Sequence, residues 1–197
     1  MKRSVHISIN FEAVRDGRSS YADATRDLAP ASLRATMSAI FDTLDGLLRH
    51  LTDAEVIFQP VDPAANDTFA APGADATLAW TLGHVVVHLT AGLEENAALG
   101  ATLARGVEVQ GRSRYEVPWE SVHSAAQISA RLTESRRICA AFLAAWPDEP
   151  HLELTVDPIP RYGPMNAIGR TALGIFHAEA HLQQLREIRQ QAAALPT

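Results

Sequence analysis

Apolar residues recur at steps of three and four along most of the chain beyond Pro30, which is the pattern of helices with one buried face. This periodicity predicts helices over about 31–51, 77–103, 121–146 and 165–194. The segments between them are rich in proline, glycine and charged residues without a period, and they predict loops. Four long helices without a strong strand pattern predict an all-α protein, a four-helix bundle whose ligand and metal sites form between facing helices.

The first 29 residues lack this helical period. Apolar and polar residues alternate over 4–9, as they do in a strand. This segment is expected either to pair with the extended-looking piece near Leu152 or to stay mobile. We therefore expect two parts, an N-terminal extension over 1–29 and a bundle domain over 30–197.

The second predicted helix is apolar on two sides. One side carries Leu82, Val86, Leu89 and Leu93, and the opposite side carries Trp80, Val87 and Ala91. A helix that is buried on both sides either lies at the centre of its bundle or contributes one face to a subunit interface. We expect the first of these sides to form the interface of a homodimer, with the central position as the competing explanation.

The composition is that of an ordinary globular protein, with 47% hydrophobic and 20% charged residues. A formal net charge of -6 repels phosphate backbones and anionic lipids, so we expect no nucleic-acid or membrane partner. No apolar stretch of about 18 residues is present to span a bilayer, and the first residues do not form a signal peptide. Cys139 is the single cysteine, so no intramolecular disulfide forms, and we expect a cytoplasmic protein with this thiol in its core.

Four of the eight histidines form two pairs with a spacing of four, His84 with His88 and His177 with His181. Residues four apart on a helix differ by about 40° in azimuth and about 6 Å along the axis, so both rings of a pair can bind one ion. The spacing permits a metal site but does not by itself establish one.

The second pair is expected to face the core, because its stripe also carries Leu173, Leu185 and Ile188. Burying an imidazole without partners costs roughly 1–3 kcal/mol, and coordination would satisfy both rings. His84 shares an apolar helix face with Trp80, and His88 competes with it as the third ligand. We prefer His84, so the predicted metal ligands are His84, His177 and His181, with the ion's remaining positions open to water or substrate.

Two alternative interpretations of these histidines remain. A core histidine is commonly hydrogen-bonded to a carbonyl or water, and a plain bundle of that kind would hold no metal. The sequence HAEAH also invites comparison with the zinc-protease motif, in which a glutamate directly follows the first histidine. Ala178 occupies that place here, and Glu179 lies about 200° around the helix, so a protease of this type is disfavoured.

The motifs WxxxH at 80–84 and HxxxHxxQL at 177–185 resemble the DinB-like family of four-helix proteins. The resemblance covers about 30–194, including the helix order and the proline-rich approach to the last helix. It implies a bundle, often a homodimer, in which the helix-two histidine and both helix-four histidines bind a divalent metal ion. Zinc or nickel is expected first, with iron or manganese as further options. Gln183 stands where family members often have glycine, and 1–29 lies outside the resemblance.

The resemblance also implies an activity. Some branches of the family resemble S-transferases or isomerases that activate the thiol of bacillithiol, mycothiol or glutathione on the metal. We therefore hypothesise a metal-dependent enzyme that activates a low-molecular-weight thiol, or water in a hydrolase, for a small-molecule substrate. The alternative is a non-catalytic metal- or ligand-binding stress-response protein. No catalytic side chain is assigned, and Trp80, His88 and Gln184 are candidates for the pocket or for supporting the ligands.

Overall fold

The computed structural model describes residues 9–67, 73, 75–108 and 116–194. The helices are α1 Phe11–Arg15, α2 Tyr21–Thr25, α3 Pro30–Leu47, α4 Asp53–Ile57, α5 Leu82–Ala104, α6 Ala125–Ala144, α7 Ala167–Ala180 and α8 Leu182–Ala193. Within these described ranges the chain forms no strand, and an isolated antiparallel bridge joins Val156 to Met165. The all-α prediction is confirmed, and each predicted helical stretch contains a long helix.

Side-chain caps set where the helices of the site begin. The Thr81 hydroxyl accepts a hydrogen bond from the His84 N–H at the start of α5, at 3.2 Å. The Asn166 side chain accepts one from the Gly169 N–H at the start of α7, at 3.1 Å. Each cap of this kind stabilises a helix by about 1 kcal/mol. The caps therefore fix the register at which the histidines of both helices follow.

The central helix of the bundle is α5, which packs against α6 on one side and α7 on the other. The four residues proposed for a dimer interface are completely buried inside the chain, namely Leu82, Val86, Leu89 and Leu93. The two-sided apolar pattern therefore reflects the central position of α5, which was the competing explanation. A homodimer stays a prediction, and it would need a different surface.

Glycines bring α5 and α7 close together. A Cβ at Gly174 would lie 2.8 Å from Asn96 Cβ and 3.2 Å from the Gly92 carbonyl oxygen, and a Cβ at Gly100 would overlap the Thr171 hydroxyl. The two helices run antiparallel, because the end of α5 meets the start of α7 at this last contact. Only glycine permits this approach, since any larger residue would separate the two backbones.

The last predicted helix is divided at His181, which lies between α7 and α8. Its N–H bonds to the Ala178 carbonyl at 3.1 Å, a tightened turn of the i to i−3 type. The first predicted helix is also shorter than expected, because α3 ends at Leu47 and His50 adopts a positive φ of 59°. Thr52 and Glu55 then form a capping box that begins α4.

The N-terminal segment packs on α7 as two short helices. The rings of Phe11 in α1 and Phe176 in α7 lie 5.0 Å apart, edge to face. The Tyr21 hydroxyl donates to the Gly169 carbonyl at 2.7 Å. The predicted alternation over 4–9 falls almost entirely outside the described residues. In the described part of the chain, no helix is both long and apolar enough to cross a lipid bilayer.

Candidate metal centre

Three histidine rings converge where α5 meets the end of α7. His177 Nε2 lies 2.9 Å from His88 Nε2 and 3.3 Å from His181 Nε2. One ligand nitrogen from each ring falls within 4.8 Å of the other two. Tetrahedral zinc with Zn–N bonds of about 2.0–2.1 Å separates its ligand nitrogens by about 3.3 Å, so the spacing of these rings suits such an ion.

The outward nitrogens of two rings face hydrogen-bond acceptors. His88 Nδ1 lies 3.0 Å from Glu116 Oε1, and His181 Nδ1 lies 2.8 Å from Gln184 Oε1. With the proton on Nδ1, each of these rings donates to its oxygen partner and keeps the Nε2 lone pair that a metal ion needs. A divalent cation between the rings could then bind all three Nε2 atoms.

The structure brings His88, rather than the preferred His84, to the pair on the last helix. His84 belongs to the first turn of α5, and its ring is stacked between two indoles, 4.2 Å from Trp80 and 4.5 Å from Trp119. The predicted ligand His84 therefore lies outside the cluster. His84 and His88 lie on nearly the same face of α5 but one turn apart. His177 of α7 contacts α5 at His88 and Gly92, so its ring meets His88 and not His84.

Gly92 makes room for the His177 ring. A Cβ at Gly92 would lie 2.8 Å from His177 Nδ1 and 3.2 Å from its Cε1. A real side chain at this position would displace the imidazole, because such a contact is far shorter than van der Waals distance. A glycine one turn after His88 is thus part of the site, although it contributes no ligand atom.

The centre opens into a cavity of about 1200 Å³, which His88 and His177 help to line. Its walls include aromatic side chains such as Trp80, Tyr162 and Phe176. A pocket of this size accommodates a small organic molecule. Catalytic metal sites commonly have three protein ligands and an open position, whereas structural sites have a fourth protein ligand. The three nitrogens beside this cavity resemble the first arrangement.

The candidate supporting residues occupy different places. Gln184 contacts His181 directly, as described above. Trp80 lies against the cluster, with its ring 4.7 Å from that of His88 and 6.1 Å from that of His181. Glu116 was missed by sequence reasoning, because it lies 28 residues from His88 in a segment without a period. No local pattern marks such a residue, and only the fold brings it to the ring.

Cys139 is unsuited to act as a nucleophile. The side chain is fully buried in α6, and burial raises the pKa of its thiol to about 12, with the Glu94 carboxylate acting in the same direction. At neutral pH the thiol therefore stays protonated and unreactive. The prediction of a core thiol agrees with this environment.

The family model of the DinB superfamily matches residues 12–185. The chain belongs to the DinB superfamily. The match begins inside the segment that the sequence pattern alone assigned to an N-terminal extension, and it contains all three clustered histidines. No curated protein and no solved structure matches the chain. Family membership and the histidine cluster together fit a metal-binding role.

Proposed function

We propose that this DinB-superfamily protein is a metal-dependent enzyme whose divalent ion is held by His88, His177 and His181, and which acts on a small molecule in the adjoining cavity. Zinc or nickel suits three imidazole nitrogens best, with iron or manganese as further options. When bound, such an ion lowers the pKa of a thiol or water beside it and so provides a nucleophile at neutral pH. We favour a low-molecular-weight thiol, as in an S-transferase or isomerase, over water.

The observation that carries the proposal is the convergence of three Nε2 atoms, with an oxygen atom of Glu116 or Gln184 beside the Nδ1 of two of the rings. A divalent ion held by three imidazoles would favour an anionic co-ligand. Three neutral imidazoles leave the double positive charge of an ion uncompensated, and Glu116 offsets part of it through the His88 ring. A thiolate would offset the rest, which is the reason for preferring a thiol.

The side chains around the cluster have separate tasks in this proposal. Glu116 and Gln184 orient two imidazoles and keep their protons on the outward nitrogens. Trp80 covers the cluster on the side of α5 and limits access of bulk water. The cavity holds the second substrate beside the ligand nitrogens, so that the reacting groups meet in a fixed orientation.

Cobalt-substituted protein tests the thiol form directly. Titration with bacillithiol, mycothiol or glutathione is expected to release about one proton per site near neutral pH and to produce a sulfur-to-cobalt charge-transfer band. The His88→Ala protein should show neither signal. The matched control is His84→Ala, one turn away on the same helix, which should keep both.

The outcomes separate the remaining possibilities. If no thiol changes the cobalt spectrum but the metal-loaded protein cleaves esters or amides, the hydrolase form replaces the transferase form. If metal binds and neither chemistry occurs across the panel, a non-catalytic metal-binding protein is the better description. Purified protein that takes up no divalent metal would overturn the proposal altogether.

A homodimer remains part of the proposal, as the family resemblance implies. Sedimentation at micromolar concentration is expected to give about twice the chain mass of 21.3 kDa. A species of the chain mass would rule the dimer out.

A further inference from the structure

One part of the cavity is apolar and lies next to the proposed metal ligand His177. The residues of α7 that line the cavity there follow a helical spacing, namely Leu173, Phe176, His177 and Ala180. Leu173 precedes His177 by one turn, about 6 Å along the helix, and Phe176 directly precedes it. A molecule that reacts beside His177 therefore lies against apolar side chains of α7.

The loop before α7 continues this apolar surface. Two backbone hydrogen bonds between Val156 and Met165, of 2.9 and 2.8 Å, close the loop, and three prolines between these residues restrict its backbone. Val156, Ile159 and Tyr162 of the loop line the cavity and are half-buried. This part of the cavity is preformed, so a ligand does not have to order it on binding.

Two aromatic rings join the loop to α7. The rings of Tyr162 and Phe176 lie 5.6 Å apart, edge to face. The N-terminal segment supports both of them, because the Tyr21 ring lies 5.5 Å from Tyr162 and 6.0 Å from Phe176, and the Phe11 ring lies 5.0 Å from Phe176. We define the apolar wall as Ile159, Tyr162, Leu173 and Phe176.

The cavity has room for more than the thiol. Its volume of about 1200 Å³ exceeds the range of about 300–1,000 Å³ that is usual for one small-molecule ligand. The low-molecular-weight thiols named above carry polar sugar or peptide groups. Such groups lose hydrogen bonds with water when they are placed against apolar side chains. The apolar wall therefore suits the other reactant.

We propose that the apolar wall binds the hydrocarbon part of the second substrate, so that the molecule acted on is an electrophile with an uncharged apolar group. This inference rests on the proposed function, because a second substrate is required only if the ion activates a nucleophile. Burial of the apolar group supplies binding energy in proportion to the area covered. The fixed position of the wall beside His177 keeps the reactive end of the substrate near the metal.

Two alcohols of matched shape test the inference with the zinc-loaded protein. Cyclohexylmethanol and its tetrahydropyranyl counterpart differ in that a ring oxygen replaces one methylene group. By calorimetric titration the cyclohexyl compound is expected to bind at least about tenfold more tightly, because the ring oxygen would lose its hydrogen bonds with water at the apolar wall. Equal binding of the two alcohols would overturn the inference.

Substitutions in the loop show whether the preference arises at the apolar wall. Tyr162→Ala removes apolar area, and Ile159→Asn introduces a polar group, so each should reduce the preference by about threefold or more. If one variant fails to fold, the other decides. The control is Phe142→Ala, an exposed aromatic residue of α6 that is not among the described residues lining the cavity, and it should keep the preference. A preference that survives both loop substitutions would overturn the inference.

Titration of the metal-free protein separates failure of the inference from failure of the proposed function. The apolar wall consists of side chains alone, so the preference for the cyclohexyl compound is expected with or without the ion. This preference in a protein that takes up no divalent metal would overturn the proposed function alone. Metal uptake with equal binding of the two alcohols would overturn the inference alone.

Discussion

The two sides of α5 use polar residues in different ways. On the side that faces α6, Arg131 donates to Glu94 Oε1 at 2.5 Å and to Thr90 Oγ1 at 3.0 Å. On the side that faces α7, His88 and its partner rings converge beside a cavity. The polar residues on the α6 side bind one another, because the charges of Arg131 and Glu94 form an ion pair within the bundle. The histidines on the α7 side border a cavity that a ligand can enter.

The packing of the two sides differs in the same sense. Glycines at 92, 100 and 174 bring α5 and α7 into backbone contact, whereas larger side chains such as Leu132 and Cys139 fill the α6 side. Close approach of two backbones fixes the relative position of their side chains more tightly than contact through long flexible ones. The glycine-lined interface between α5 and α7 is therefore the one suited to holding ligand atoms in a fixed geometry.

The largest expected effect is the loss of the metal on the α7 side. His177→Ala removes the nitrogen that lies nearest to both other ligands, so we expect metal affinity to fall by more than about 100-fold. Elemental analysis of untagged protein after dialysis measures it. Metal retained at full stoichiometry by a His177→Ala, His181→Ala double variant would refute the assignment.

Gly92→Ala tests whether close packing itself builds the centre. The new methyl group would meet the His177 ring at 2.8 Å, and overpacking strain of about 1–3 kcal/mol predicts a metal affinity lower by about 10- to 100-fold. Competition with a chromophoric chelator measures this affinity. The matched control is Gly46→Ala in α3, where a Cβ meets nothing, so we expect unchanged metal binding and about 0.5–1 kcal/mol of added stability. Equal metal affinity of the two variants would show that the close packing of the His177 ring on Gly92 is not needed for metal binding.

On the α6 side the expected effect is on stability alone. Arg131→Gln leaves the half-buried Glu94 without its cation, and we expect the free energy of unfolding to fall by about 1–3 kcal/mol. Urea denaturation measures the change, and metal affinity should stay the same. A loss of metal in this variant, with little loss of stability, would contradict the expectation that the α6 side of α5 contributes to stability and not to metal binding.

The smallest expected effect concerns the partner of His88. Glu116→Gln keeps an oxygen that accepts from Nδ1 but removes the negative charge, so we expect metal affinity to fall by about tenfold. The chelator competition used for Gly92→Ala resolves a change of this size. Glu120→Gln, an exposed neighbour in the same segment, serves as the control and should have no effect.

The apolar periodicity located the long helices because each of them buries apolar residues at steps of three and four. It also predicted that His177 and His181 share one helix face, and their rings do lie together, with Nε2 atoms 3.3 Å apart. It was less reliable at the ends of the helices. The break at His181 and the early end of α3 at Leu47 arise from single backbone turns, which leave little trace in the periodicity.

The all-α class, the order of the long helices and the burial of Cys139 follow from the sequence pattern alone, and the same pattern predicts that His177 and His181 share one helix face. The convergence of His88 rather than His84 with that pair, and the contact of Glu116 with His88, depend on how the helices and loops pack. The physical reason is that helical spacing fixes which residues share a face, whereas the relative position of two helices depends on packing between them. That packing is set by the glycines of α5 and α7, and residues from distant segments meet only once it has formed.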